Sequence, residues 1–256
     1  MISITFLGTG TSSGVPVLTC TCEVCRSVDF RDKRLRSSVL IQSENTNIVI
    51  DTGPDFRQQM LNAGGVRIDA VVYTHEHKDH TAGLDDIRPY NYLRGTREHV
   101  PLYGRAHVLE QIKREFGYIF EENPYPGVPL VKTYTIENSS FQIGDLSLIP
   151  IEVLHYKLPV FGYRIGDFTY ITDANFIAEE EKEKIKGTKV LVLNALQRTP
   201  HISHFTLDQA TALAQELGAE HTYFTHISHK LGLHHEVEKE LPSGIHLAFD
   251  GLTLQL

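Results

Sequence analysis

Four residues able to bind a metal ion, His75, His77, Asp79 and His80, fall within six positions directly behind the apolar stretch Asp69-Ala-Val-Val-Tyr73. In near-extended backbone alternate side chains share a face, so His75 and His77 can reach one ion. Asp79 and His80 follow as the chain turns and offer donors for a second ion beside the first. Imidazole and carboxylate donors suit Zn(II), Mn(II) or Fe(II) rather than calcium. Taken alone, the cluster could be a solvated polar loop. Three other positions argue against that: His155 ends the apolar run 148–154, Asp173 ends 168–172, and His226 ends 222–225. Each alone reads as a hydrogen-bonded histidine or a turn aspartate. Together they put metal-capable side chains at the carboxyl ends of several strands, where α/β proteins place ligands.

The rest of the chain supports that frame. Beta-branched and aromatic runs bounded by Gly, Pro or Asp predict strands at 2–7, 38–42, 47–50, 70–74, 146–154, 161–165, 169–172, 189–193, 222–225 and 245–249. Apolar residues at helical spacing predict helices at 54–63, 84–93, 106–116, 178–185, 206–217 and 234–241. The best specified starts at Thr206, which forms a capping-box pair with Gln209, and Gly218 closes its apolar stripe. The stretch 123–129, rich in proline, reads as a rigid loop, and 90–132 carries no motif that gives it a role. No Gly/Ser-rich hinge or short repeat divides the sequence. One domain over 1–256 is expected, its strands and helices arriving in two comparable halves.

Composition excludes several classes. With 41% hydrophobic and 22% charged residues the 256-residue chain is globular in type. Its 24 Lys plus Arg against 32 Asp plus Glu give a formal charge of −8, which disfavours non-specific binding to nucleic acid or an anionic membrane. No apolar run approaches the roughly 18 residues of a membrane span. The segment Met1 to Gly8 lacks the basic start of a secretory signal. A soluble, cytoplasmic protein is therefore expected. The three cysteines, Cys20, Cys22 and Cys25, are odd in number and adjacent, which is no disulfide framework.

At this point the sequence resembles a known family. His75-x-His77-x-Asp79-His80 followed in order by His155, Asp173 and His226 is similar to the ligand series of the metallo-β-lactamase fold hydrolases. The resemblance implies an α/β fold, a four-layer αββα sandwich with its site at the edge between two sheets. It implies that His75, His77 and His155 hold one metal, that Asp79, His80 and His226 hold another, and that Asp173 bridges them. Asp51 matches an aspartate that supports the ligand loop from behind the ligands, although it reads equally well as a turn residue. Aspartate at the bridging position disfavours an antibiotic hydrolase, many of which carry cysteine there. Thioesterases of the glyoxalase type, RNA-processing nucleases and phosphodiesterases all share it.

Two further motifs point to the phosphodiesterase branch, and within it to the PhnP-type phosphoribosyl cyclic phosphodiesterases. In Thr199-Pro-His201-Ile-Ser-His204, His204 resembles the extra histidine that contacts phosphate and protonates the leaving oxygen. It is expected to be catalytic together with Asp79. The second motif joins Gly8-Thr-Gly10 and Gly14-Val-Pro16 to Cys20-x-Cys22-x-x-Cys25. Three thiolates are one ligand short of a closed tetrahedral zinc site. With His226 assigned to the catalytic metals, His229 in Thr225-His226-Ile-Ser-His229 is the natural fourth ligand. A redox pair of Cys22 and Cys25 is the alternative. Lys157, behind His155, is a candidate for a substrate phosphate and equally a solvated loop lysine. His99, His107, His201, His221, His234, His235 and His246 receive no role.

The expected activity is hydrolysis of a small, cyclic phosphodiester by a hydroxide shared between two divalent metals, Zn or Mn, with one further structural Zn. A ribonuclease Z-like nuclease, a glyoxalase II-like thioesterase and a non-enzymatic zinc module are the rival readings. Neither a membrane nor nucleic acid is an expected partner, and homodimerisation is left open.

Overall fold

The computed structural model describes residues 1–92 and 98–256. Six strands of the first half are β1 (Ser3–Gly8), β2 (Ser38–Gln42), β3 (Asn47–Ile50), β4 (Ala70–Val72), β5 (Val100–Gly104) and β6 (Val131–Thr135). They lie in that spatial order, antiparallel up to β3 and parallel from β3 to β6. Among the described residues, four α-helices accompany them: α1 (Glu23–Arg26), α2 (Phe56–Asn62), α3 (Lys78–Thr81) and α4 (Ala106–Glu115).

The second half repeats the plan with β7 (Phe141–Ile143), β8 (Leu146–His155), β9 (Leu158–Ile165), β10 (Phe168–Tyr170), β11 (Phe176–Ile177), β12 (Val190–Asn194), β13 (His221–Thr225) and β14 (Ile245–Leu247). Among the described residues this sheet runs β11-β8-β9-β10-β12-β13-β14, with β7 paired to β8, and is parallel from β10 to β14. Helices α5 (Glu179–Ile185), α6 (Leu207–Leu217) and α7 (His234–Glu240) belong to it. The last strand, β15 (Thr253–Gln255), returns to the first sheet beside β1.

Alternation along the strands builds four layers. Ile48 and Ile50 of β3 pack with Val190 and Val192 of β12 between the sheets. Their neighbours face outward, Val49 onto Phe56, Met60, Val108 and Ile112 of α2 and α4, and Leu191 and Leu193 onto Ala210, Leu213 and Val237 of α6 and α7. Each such side chain, fully buried, contributes roughly 1.5–3 kcal/mol. The fold is the αββα sandwich expected from the resemblance. Among the described residues no helix is long and apolar enough to cross a membrane.

Three expectations change. The helix expected over 84–93 is a 3-10 helix over Leu84–Tyr92, because Pro89 sits inside it and lacks the amide that an α-helical ladder needs; position 93 lies outside the described residues. The described part of 90–132 gains a role as scaffold: β5 and the start of β6 extend the first sheet and α4 covers it. Strands β5, β6, β7, β11 and β15 and the short helices α1 and α3 were not expected from the sequence.

Candidate active site

The carboxyl ends of both parallel runs meet at one edge. Ser38, Asp51 and Thr74 cluster above the first sheet, where Asp51 follows β3 and Thr74 lies two residues beyond β4. The sheets are stitched there by the Phe161 amide donating to the Thr74 carbonyl at 3.1 Å and the Tyr163 hydroxyl donating to the Tyr73 carbonyl at 2.6 Å. From the second sheet, His155 ends β8, Asp173 lies beyond β10 and His226 directly follows β13. Asp51, Asp173 and His226 have φ of 65°, 55° and 55°, the left-handed region. Aspartate and histidine enter it more readily than most side chains, but at a cost that persists only where surrounding contacts impose it, as at functional sites.

Two groups of donor atoms result. Ligand atoms of His75, His77, His155 and Asp173 lie within 4.8 Å of one another, and so do those of Asp79, His80, Asp173 and His226. Asp173 belongs to both. His80 Nε2 is 3.3 Å from Asp79 Oδ2 and 3.5 Å from Asp173 Oδ1, and His226 Nε2 is 3.2 Å from Asp173 Oδ1. Two donors on one tetrahedral ion at about 2.0–2.1 Å stand about 3.3 Å apart. His75, His80 and His226 each bury Nε2 without a hydrogen-bond partner, nitrogens that a cation would satisfy. The residues present therefore fit divalent metals.

The Nδ1 atoms of His75, His80 and His155 are held from outside, whereas that of His226 has no partner. Asp51 Oδ2 lies 2.7 Å from His80 Nδ1 and accepts the Thr74 hydroxyl at 2.8 Å, while its Oδ1 accepts the Thr74 amide at 2.8 Å. His75 Nδ1 lies 2.9 Å from the Thr74 hydroxyl, and His155 Nδ1 donates to the Ser203 carbonyl at 2.9 Å. These contacts fix which nitrogen faces the cluster. Burial holds His75 well below the usual imidazole range, so it is a neutral donor. Burial also opposes a proton on His80, yet Asp79, Asp173 and Asp51 together raise it well above that range. The carboxylates thus draw positive charge into the site. Burial opposes charge on Asp173 too, but His226 and His80 hold it ionised.

His204, buried beside both groups, has its ring centroid 4.6 Å from that of His155 and 4.7 Å from that of His226. Burial first, and His226 second, push it down to about 3, and its Nδ1 has no partner. The capping box of α6 sets this loop: Thr206 Oγ1 accepts the Gln209 amide at 3.2 Å, and Gln209 Oε1 accepts the Thr206 amide at 2.9 Å. Lys157 is exposed on the β8–β9 turn with Nζ over the Tyr156 ring at 5.3 Å.

Sequence reasoning missed Thr74, Ser203 and Asn194. Asn194 ends β12 and clamps Ala174, beside Asp173, through paired contacts of 2.8 and 2.9 Å. A lone polar residue ending the fully apolar run 190–193 was the available signal. Of the histidines given no role, His234 sits 3.1 Å from buried Arg34 and His246 lies 2.8 Å from Glu238. His201 rests 5.2 Å from His204, ring to ring.

A third group lies apart from these. His229 Nδ1 is 3.3, 3.4 and 3.6 Å from the sulfurs of Cys20, Cys22 and Cys25. Tetrahedral zinc with bonds of about 2.3 Å to sulfur and 2.0–2.1 Å to nitrogen separates such donors by about 3.6 Å. A hydrogen bond from the Cys25 amide draws the Cys22 thiol down to about 6, whereas burial pushes Cys25 up to about 11.

A family model described as Beta-lactamase superfamily domain matches residues 46–227. The chain belongs to the beta-lactamase superfamily. A diphosphatase from the PhnP family, known from its crystal structure, is 42% identical with a TM-score of 0.93, covering 100% of this chain and 98% of that one. An octanoyltransferase of Porphyromonas gingivalis is 43% identical over 249 residues, 96% of this chain and 50% of its own length. A ribonuclease Z of a Nostoc species is 25% identical over 169 residues, 65% of this chain and 47% of its own. This chain spans about half the length of these two curated relatives.

Proposed function

We propose that this superfamily member is a metal-dependent hydrolase, a phosphodiesterase of the PhnP type acting on a small, cyclic phosphodiester at a dinuclear centre. The observation that carries the reading is the position of His204, its ring against His155 of one donor group and His226 of the other. A proton carrier between two cation sites suits a reaction in which an oxygen departs from phosphorus. The likeness to a PhnP-family diphosphatase supports chemistry at a phosphoryl group.

His75, His77 and His155 would hold one ion, Asp79, His80 and His226 the other, and Asp173 both; Cys20, Cys22, Cys25 and His229 would hold a structural zinc. When bound, the paired ions supply Lewis acidity to the phosphoryl oxygens and a nucleophilic water at neutral pH. The chain's own residues do the rest. Asp51 and Thr74 orient His80 and His75, and the Ser203 carbonyl orients His155. His204, held neutral in the chain alone, gains its proton beside an anionic phosphodiester and gives it to the leaving oxygen. Lys157, exposed on the turn that follows His155, would meet a substrate phosphate.

The thioesterase reading gains one observation, the relative that bears the name octanoyltransferase. Because that alignment covers half of the relative, the name does not say which half carries the acyl chemistry. The deciding experiment ranks kcat/KM on a cyclic ribose phosphate, 2′,3′-cyclic nucleotides, an aryl phosphodiester, a dinucleoside diphosphate and an S-acyl thioester. The phosphodiesters should lead. Thioester turnover in the absence of phosphodiester turnover would overturn the assignment.

A further inference from the structure

Asn194 is fully buried at the end of β12, behind the apolar side chains of Val190 to Leu193. Its Oδ1 accepts the Ala174 amide at 2.8 Å and its Nδ2 donates to the Ala174 carbonyl at 2.9 Å, as a neighbouring strand's backbone would. That same carbonyl also accepts the Phe205 amide at 2.9 Å. Three segments distant in sequence therefore share one joint: Ala174 follows Asp173, Phe205 follows His204, and Asn194 closes β12. The residues behind Asn194 extend it. The Ala195 amide donates to the Thr225 carbonyl, directly before His226, at 3.0 Å. The Leu196 amide donates to the Phe205 carbonyl at 3.0 Å, and the Leu196 carbonyl accepts the Ser228 amide at 3.0 Å.

An apolar side chain at 194 would fill the space but leave the buried Ala174 amide without a partner, which is costly. The joint matters most for His204. That residue belongs to neither donor group, and its Nδ1 is buried without a partner. Its ring is therefore placed by packing and by the backbone on either side of it. On one side the Ser203 carbonyl is bound to His155 Nδ1. On the other, Phe205 is bound to the joint through both its amide and its carbonyl. Asp173, held at φ of 55°, is indexed from the same point through Ala174. Misplacing a reacting group by about 1 Å can cost about 10²-fold in rate.

We infer that Asn194 is a positioning residue, the centre of a hydrogen-bonded joint that fixes His204 relative to Asp173 so that the proton carrier faces the departing oxygen. This deepens the phosphodiesterase reading and rests on it for the proton transfer. The joint itself is read by amide exchange, without any substrate.

Hydrogen exchange and a leaving-group comparison on the metal-loaded protein test it together. In Asn194→Ala the Phe205 amide should exchange about tenfold or more faster while the interior of α6 stays protected. At saturating metal, kcat on a cyclic ribose phosphate, whose alkoxide needs a proton to leave, should fall by about 10- to 100-fold. An aryl diester that releases nitrophenolate needs no such proton and should lose less than about threefold. In a His204→Ala background the added Asn194→Ala change should alter kcat by less than about twofold, because both act through one step. Asn194→Asp, which keeps the acceptor and the shape but loses the donor, should show the same split in smaller measure and serves if the alanine variant does not fold. Equal losses on the two diesters, additive losses with His204→Ala, or an unchanged Phe205 exchange rate each overturn the proposal. A wild-type protein that cleaves neither diester removes the phosphodiesterase reading instead, and the exchange rate of Phe205 then decides the joint alone.

Discussion

The buried histidine and aspartate cluster and the thiolate loop are both metal-fitting, but the chain assembles them in opposite ways. The first draws on the ends of β4, β8, β10 and β13, spread from His75 to His226, with three of its Nε2 atoms fully buried. The second takes three ligands from a six-residue loop and one from His229, and only Cys25 among its cysteines is buried. The contrast teaches where each gets its precision. The cluster is positioned by two sheets and by contacts such as Asp51 to His80, so it exists only once the fold does. The loop is positioned largely by its own short turns, so a bound metal would organise it. The two meet in sequence at 226–229, where His226 serves one group and His229 the other.

Breaking the cluster should have the largest effect. Asp173→Ala removes the side chain common to both donor groups and should lower kcat/KM on a phosphodiester by on the order of 10⁴ or more in steady-state assays. An activity within tenfold of wild type would end its bridging role. Next comes His204→Ala, expected to slow turnover by about 10² to 10⁴ while the cluster metals stay bound. Loss of metal along with the rate would recast His204 as a structural partner of His155 and His226. Asp51→Asn should weaken metal binding at His80 by about 10- to 100-fold in competition with a chelator. An unchanged chelator midpoint would show that Thr74 alone suffices to hold the loop.

The smallest effect lies outside both groups. Thr206→Ala removes the α6 cap and should cost about 1 kcal/mol in denaturant melts, with a range of about 0.5–2. A loss well above that range would mean that the cap also braces the His204 loop.

The same contrast explains what could be read in advance. Donor residues such as His155 and His226 were legible because each ends a run of strand-forming residues, 146–154 and 222–225, and His75 to His80 because they cluster in six positions. The αββα architecture was legible through resemblance, and the alternation of Ile48, Val49 and Ile50 agrees with it. Strand β5 escaped notice because Val100-Pro101 contains a residue with no amide for the ladder. Strand β6, VKTYT, has a half-exposed edge with too little hydrophobic alternation to announce itself. Strand β15 is three residues long and is defined by pairing with β1, some 250 residues away, which no local pattern encodes. Thr74, Ser203 and Asn194 act through hydrogen bonds across elements, so their roles appear only when those elements meet.

The most direct measurement is elemental analysis of metal per chain in three proteins. The three donor groups predict three ions in the wild-type chain, two in Cys25→Ser and one in Asp173→Ala. Three ions in every protein, or a single zinc in the wild type that disappears with Cys25→Ser, would contradict the account.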